Sequence, residues 1–195
     1  NVLLPVIHAQ TGPQVLRNAQ VAHDEGADGV FLISHDTVPA PVLLEFCNSV
    51  RELYPSWWIG VNFLDLNTPD SLRTVPAGTS GLWVDNAGIN ELGKDPCRSA
   101  RSFWEQRKQR EDWHGLYFGG VAFKYQREVQ DAAHVAQLAV PYMDVITTSG
   151  RTTGQSPTEE KIWAMRDAVG DHPLVIASGI TPENVEKYLG VADGF

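Results

Sequence analysis

The sequence predicts an α/β protein of the (β/α)8 class, also called the TIM barrel. Apolar runs alternate with amphipathic segments along all 195 residues, and repeated strand–helix units form either a closed barrel or an open, doubly wound sheet. Seven units precede the final letters "VADGF", which repeat the start of the strand in "GADGVFLIS" at 26–34. An eighth strand beginning there favours the barrel, because eight units close it. An open sheet would be expected to carry a G-x-G-x-x-G motif, and "VIHAQTGPQ" has none.

The predicted strands are mostly continuous apolar runs, as expected where a parallel strand is covered on both faces. They span residues 2–9, 29–34, 57–64, 81–88, 116–124, 144–150 and 173–179. No linker or low-complexity run interrupts them. We therefore predict one domain over residues 1–195, whose last strand–helix unit is incomplete because the chain stops within strand eight.

Helix-start and helix-stop residues lie between these strands. Pro13 and Pro41 occupy helix-start positions, and Gly26 lies where a C-terminal cap is expected. The letters "TPE" at 181–183 predict the start of the last helix, with a threonine cap and a proline just inside it. Cys47 lies on one apolar stripe of the second helix with Leu44 and Val50, so it is predicted to be a core residue.

Composition excludes several classes of function. The net charge of −9 argues against a nucleic acid as partner, because the electrostatic footprint of such proteins is basic. No apolar stretch approaches the ~20 residues of a membrane span, and no secretory segment is visible at the start. Two cysteines do not make a disulfide framework, which favours a reducing, cytoplasmic compartment.

Polar residues follow nearly every predicted strand. The active site of a barrel of this class lies at the C-terminal ends of its strands, so these side chains are expected to converge. The candidate catalytic residues are Lys124, Asp36, Asp85 and His8, and Asn62 is a candidate for binding substrate. For any one of them, the alternative is that it caps a helix or satisfies a loop.

Lys124 is the sharpest single candidate. It ends the apolar run "GGVAF" and is expected to point into the barrel mouth. Desolvation there would lower its pKa and suit a Schiff-base former or general base. The alternative is an ion pair with Asp85 or Asp36.

Two segments predict phosphate binding. In "SGITPEN" at 178–184, Ser178 and Gly179 precede a predicted helix start, where free N–H groups and the helix dipole favour an anion. In "TTSGRTTGQSP" at 147–157, small residues allow close backbone approach and hydroxyls can donate; a mobile surface loop is the alternative. The candidate binding residues of that segment are Gly150, Arg151, Thr153 and Gly154. The expected partner is a small phosphorylated molecule, with homo-oligomer formation left open.

A divalent metal is a weaker alternative. His8, His35, Asp36 and Asp85 could gather one, but their spacing matches no zinc pattern such as H-E-x-x-H. Carboxylates beside a bound phosphate would suit Mg²⁺. No residue is therefore assigned as a metal ligand, and Mg²⁺ is the one cofactor left open.

The last third of the chain resembles BtpA family proteins. "TSGRTTGQSP" and "PLVIASGITPENVEKYLGVADGF" are similar to that family's T-G-x-x-T-G-x-x-P segment and its V-x-x-G-S-G-V-T-x-E-N-V segment with a following A-D-G strand. "VIHA", "EGADGVFL", "GVNFL" and "AFKYQ" fall in the same order. The resemblance implies a barrel related to phosphate-binding barrels that continues past Phe195.

The resemblance also implies family positions and departures from them. Lys124, Ser178, Gly179 and Asn184 carry over, as does the loop of Gly150, Thr153 and Gly154. His35 and Asp36 stand where the family tends to have E-N, and Tyr125 replaces a usual histidine. The family's best-known role is a factor for photosystem I accumulation, whereas other members resemble sugar-metabolism enzymes. Two hypotheses follow: an enzyme acting on a sugar phosphate or phosphoribosyl compound, such as a lyase, isomerase or transferase, or a non-catalytic assembly or regulatory factor.

Overall fold

The computed structural model describes residues 1–34 and 38–195. Strands and helices alternate through these residues. The strands are β1 (Val6–His8), β2 (Gly29–Ile33), β3 (Trp58–Asn62), β4 (Gly81–Val84), β5 (Leu116–Gly120), β6 (Val145–Thr148) and β7 (Leu174–Ile176). The helices are α1 (Gly12–Asp24), α2 (Ala40–Leu53), α3 (Thr68–Thr74), α4 (Arg98–Lys108), α5 (Ala132–Ala139) and α6 (Glu159–Val169). A strand is present within each of the seven predicted runs, but each strand is shorter than the predicted run.

The chain forms two compact units. The N-terminal unit contains 2–84 and 111–116, and the C-terminal unit contains 85–110 and 117–195 together with Asn1. In the N-terminal unit the strands lie in the order β1, β2, β3, β4 and pair in parallel. Trp58 packs edge-on against Phe31, with ring centroids 5.0 Å apart. A Cβ on Gly60 or Gly81 would collide with the Trp58 ring, so these glycines make room for that packing.

In the C-terminal unit the strands lie in the order β5, β6, β7 and are also parallel. Gly194 continues the series, because it forms a parallel bridge to Val175 and its carbonyl accepts the Ile176 N–H at 3.1 Å. The letters "VADGF" therefore begin a strand-like pairing beside β7, as predicted. The α/β class with parallel strands is confirmed in both units.

Most helix starts match their sequence signals. The Thr11 side chain caps α1, and Gly26 turns the chain after it with φ of 81°. The buried stripe of α2 uses Leu43 with Cys47 and Val50, rather than the predicted Leu44. Burial raises the pKa of the Cys47 thiol to about 12, which fits its predicted place in the core. Among the described helices, none is long and apolar enough to cross a membrane.

The predicted last helix is the exception. Residues from Thr181 form a turn followed by a short 3-10 segment, Val185–Lys187. The Asn184 side chain accepts the Thr181 N–H at 2.9 Å and donates to the Gly179 carbonyl at 2.8 Å. An asparagine that bonds the local backbone in this way offers it an alternative to the α-helix.

An aspartate directly before a strand recurs as a clamp on the neighbouring chain segment, and in the N-terminal unit the clamped residue is Leu3, which precedes β1. The Asp28 carboxylate accepts the Leu3 N–H at 2.9 Å, while the Asp28 N–H donates to the Leu3 carbonyl at 3.1 Å. Asp28 thus satisfies both the backbone N–H and the backbone carbonyl of Leu3. The "ADG" letters at 27–29 encode this reciprocal pair.

The same reciprocal pair occurs twice in the C-terminal unit. Asp144 accepts the Tyr117 N–H at 2.7 Å and donates its own N–H to the Tyr117 carbonyl at 3.1 Å. Asp193 does the same with Leu174, at 2.8 Å for both bonds. Arginines complete the two clamps: Arg107 pairs with Asp144 at 2.6 Å, and Arg166 pairs with Asp193.

We predict that Asp144→Asn destabilises the fold by about 1.5–3 kcal/mol, because hydrogen bonds to charged groups contribute that much and Arg107, 16 % exposed, would lose its carboxylate. Urea denaturation would measure the free energy of unfolding. The control Asp167→Asn changes an exposed side chain of α6 and should stay within about 0.5 kcal/mol of wild type. Equal stability of the two variants would contradict the clamp.

Candidate functional site

Three loops follow the strands of the C-terminal unit and form its candidate site. The β5 loop comprises residues 121–131, the β6 loop 149–158 and the β7 loop 177–184. Loops at the carboxyl ends of parallel strands carry the functional residues in α/β folds. Their mutual contacts decide which predicted residues lie together.

Lys124 lies in the β5 loop, not at the end of a strand. β5 ends at Gly120, and the Val121 N–H makes a further bond to the Thr147 carbonyl at 2.9 Å. Ala122, with φ of 48°, then turns the chain out of the extended conformation. The prediction that residues 116–124 form one strand is wrong for this reason.

The Lys124 backbone is nevertheless held next to the C-terminal end of β6. Its N–H donates to the Ser149 hydroxyl at 2.8 Å. The lysine as a whole is half-buried, and its amino group lies 5.5 Å from the centroid of the Phe123 ring. Within residues 1–34 and 38–195 the Lys124 amino group makes no ion pair, so the predicted pairing with Asp85 is absent. Asp36, the other predicted partner, lies outside the described residues. Lys124 is therefore a cation available to an anionic ligand.

The β7 loop packs closely against the β6 loop at Gly179. A Cβ on Gly150 would lie 2.2 Å from the Gln155 carbonyl oxygen, and one on Gly179 would lie 2.1 Å from the Ser156 nitrogen. The Gly154 N–H donates to the Ser178 hydroxyl at 2.9 Å. The close approach predicted for the small residues of 147–157 is thus, at Gly150, to the backbone of the same loop, whereas Gly179 of the β7 loop approaches the backbone of the β6 loop.

The β5 and β6 loops meet through side chains. The Tyr125 hydroxyl donates to the Thr153 hydroxyl at 3.1 Å and accepts the Thr153 N–H at 3.3 Å. These hydrogen bonds lower the pKa of Tyr125. Arg151, predicted to bind an anion, instead pairs with Glu128, and both side chains are exposed. This exposed pair is a weak constraint that a ligand could displace.

The β7 loop presents unpartnered backbone donors. In the described part of the chain, the N–H groups of Ser178, Gly179 and Ile180 have no hydrogen-bond acceptor. The Thr181 N–H, by contrast, is taken by Asn184. Successive free N–H groups at a turn form an anion-binding concavity. Since no α-helix follows the β7 loop, the donors that could meet an anion lie in the turn itself.

Backbone strain is concentrated in the same loops. Among the described residues, the non-glycine residues with positive φ are Ala122 at 48°, Tyr125 at 59° and Ser178 at 112°. Such conformations cost on the order of 1–3 kcal/mol each and persist where the surrounding structure enforces them. Ala122 and Tyr125 lie in the β5 loop and Ser178 in the β7 loop, so the strained residues fall within the candidate site.

Lys161 is a residue that sequence reasoning missed. It lies in the first turn of α6, and its amino group donates to the Ala122 carbonyl at 2.6 Å and to the Ser149 carbonyl at 2.7 Å. Desolvation lowers the pKa of this amino group to about 8. The sequence signal that could have identified Lys161 is a lysine in the first turn of a helix, where the helix dipole disfavours positive charge.

The remaining predicted residues are placed as follows. Asp85 directly follows β4 and is half-buried, and its carbonyl accepts a hydrogen bond from the Gln126 side chain. In the N-terminal unit, His8 ends β1 with an exposed side chain and Asn62 ends β3 fully buried. Asp36 lies outside the described residues.

No metal centre is present among the described residues: no three or more His, Cys, Asp or Glu side chains in residues 1–34 and 38–195 are grouped to hold an ion. His35 and Asp36, two of the four residues considered for one, fall in the gap between these ranges. The donors that the C-terminal unit does bring together are amino groups, hydroxyls and backbone N–H groups. This set suits an anion.

Comparison with known structures identifies the fold class. The chain is similar to a tetrameric deoxyribose phosphate aldolase from Aeropyrum pernix, with 14% identity, a TM-score of 0.68, and coverage of 99% of this chain and 84% of that one. It is also similar to a mandelate racemase/muconate lactonizing enzyme from a Roseiflexus species (13% identity, TM-score 0.55, 91% of this chain and 47% of that one). An O-GlcNAc hydrolase variant from Thermobaculum terrenum aligns with 8% identity, a TM-score of 0.57, and coverage of 91% and 46%.

At these identities the likeness shows the fold alone, which is TIM-barrel-like. No protein-family model matches the chain, and no curated protein matches its sequence.

We predict that Ser178→Gly is more stable than Ser178→Ala by about 1 kcal/mol. Both variants lose the hydroxyl that accepts the Gly154 N–H, but only glycine relieves the strain of φ at 112°. Chemical denaturation of the two proteins would measure the difference. If the alanine variant were equally stable, Ser178 would not be strained.

A second prediction concerns pH and Lys161. Its pKa is lowered from 10.5 to about 8, so the unfolded chain binds more protons between these values and stability should rise with pH there. We expect the free energy of unfolding of the wild type, minus that of Lys161→Met, to increase by at most about 3 kcal/mol across this range. Subtracting Lys161→Arg instead should give the same rise, because arginine stays charged. A flat difference would contradict the lowered pKa.

Proposed function

We propose that this chain is a BtpA-like protein that binds a small phosphorylated compound, a sugar phosphate or phosphoribosyl derivative, and acts on it as an enzyme. The observation that carries the proposal is the free donor set of the C-terminal unit. Lys124 lacks a carboxylate partner among the described residues, and the Ser178, Gly179 and Ile180 N–H groups lack acceptors. A phosphate supplies the acceptors that both need.

The fold supports this proposal in one respect. A likeness to deoxyribose phosphate aldolase relates the chain to a fold that accommodates a phosphorylated sugar in that protein. We further propose a closed eight-stranded barrel, in which the pairing of Gly194 with Val175 begins the eighth strand. His8, Asp36 and Asp85 remain proposed acid–base groups, and Asn62 a proposed substrate-binding group.

Lys124 has the central role in this proposal. Its β5 loop is bound to the β6 loop through Ser149 and Thr153, and the β6 loop is bound to Ser178. The lysine therefore belongs to the same connected set of loops as the free N–H groups. We assign it to the anionic group of the substrate, where it would also be available as a base or electrophile.

The test is a titration of the chain with inorganic phosphate and a panel of phosphosugars, with and without Mg²⁺, followed by thermal unfolding. A ligand at about 100 times its Kd adds about 2.7 kcal/mol of stability, which shifts the midpoint visibly. Lys124→Met should weaken binding of the responding compound about tenfold or more, because hydrogen bonds to charged groups contribute about 1.5–3 kcal/mol.

Lys108→Met is the matched control. It removes the same charge from the C-terminal end of α4 and should bind as the wild type does. A shift with one phosphosugar would identify the substrate class. The absence of any shift with phosphorylated compounds would reject the proposal and favour a non-catalytic assembly or regulatory factor.

A further inference from the structure

One half-buried lysine in the C-terminal unit is not used by the proposed ligand site. Lys161 is the third residue of α6, after Glu159 and Glu160, and its N–H is capped by the Thr158 hydroxyl at 3.3 Å. The acidic residues beside it suit a helix N-terminus, whereas a lysine does not. The position of Lys161 is therefore explained by the contacts of its side chain outside α6, and not by the helix dipole.

Those contacts are two backbone carbonyls from two different loops. The amino group lies 2.6 Å from the Ala122 oxygen and 2.7 Å from the Ser149 oxygen. No carboxylate within the described residues pairs with it. A desolvated ammonium group held only by neutral carbonyls is costly, so the arrangement is not explained by charge pairing.

The two carbonyls flank Lys124. Ala122 is strained, with φ of 48°, and its carbonyl also accepts the Thr148 hydroxyl at 3.3 Å. The Ser149 hydroxyl accepts the Lys124 N–H at 2.8 Å. The Lys161 amino group thus bonds the backbone of both loops that form the contact between Lys124 and Ser149. Because Lys161 lies on α6, this link comes from a helix rather than from a loop.

We propose that Lys161 is a positioning residue for Lys124. It donates to both loops from a fixed point on α6, so that the strained turn at Ala122 persists and the backbone of Lys124 stays bonded to Ser149. It acts through these loops and does not itself contact the ligand. The inference rests on the proposed function only in assigning the anion to Lys124; the tethering of the loops stands on geometry alone.

The experiment compares three variants with the wild type. Lys161→Met keeps the aliphatic stem and removes the donors, Lys161→Arg keeps a cationic donor, and Lys108→Met removes an equal charge from α4. Two quantities are measured on each protein: amide hydrogen exchange of residues 121–126 and 149–155, and the Kd for inorganic phosphate. Global stability from urea denaturation shows which variants are folded.

In Lys161→Met we expect exchange in those two segments to accelerate about tenfold or more while the strands keep their protection, and the phosphate Kd to rise about tenfold. Lys161→Arg should recover both to within about threefold, and Lys108→Met should change neither. Unchanged exchange in folded Lys161→Met would overturn the positioning role. So would faster exchange with an unchanged phosphate Kd, because the tether would then be structural only.

The two proposals fail separately. If the wild type binds no phosphate, the proposed function fails, whereas the exchange measurement still decides whether Lys161 holds the loops. Should Lys161→Met not fold, Lys161→Arg and Lys161→Gln take its place. Lys161→Arg must then match the wild type in both amide exchange and phosphate Kd. Lys161→Gln, which has a shorter neutral donor, must show faster exchange and a higher phosphate Kd. If Lys161→Gln behaves as the wild type does, the proposal is overturned.

Discussion

The reciprocal bond between an aspartate and the preceding strand is the interaction on which the described architecture depends. Parallel strands are joined by sloping hydrogen bonds, and a slip of one residue would exchange the two faces of a strand. Asp144 and Asp193 prevent that slip by engaging both polar groups of Tyr117 and Leu174. Fixing the register at the strand starts also fixes where the strands end. The β5, β6 and β7 loops therefore leave the sheet at defined positions.

The loops use that alignment to hold one another. Their contacts are made through close backbone packing at Gly179, through the Ser149 and Ser178 hydroxyls, and through the Tyr125 hydroxyl, which bonds Thr153. Long charged side chains such as Arg151 add exposed pairs at the rim. The interior of the cluster is thus fixed by hydrogen bonding, while its free N–H groups and the Lys124 amino group face no internal acceptor.

Sequence reasoning identified what short-range patterns encode. Apolar runs located every described strand, and Pro13 and Gly26 marked α1, because these signals act within a few residues. The end of β5 was missed, since no residue type announces a positive φ at Ala122. The role of Lys161 was also missed, because its partners lie 39 and 12 residues away. The Asn184 turn competed with helix formation in a way that the proline and threonine signals did not reveal.

The glycine at position 179 has a consequence for how the loops can vary. The Gln155 and Ser156 backbone of the β6 loop fills the space that a side chain at Gly179 would need. A larger residue there would therefore displace the β6 loop, and with it the contact between Thr153 and Tyr125 of the β5 loop. The shape of one loop thus depends on the smallest residue of its neighbour.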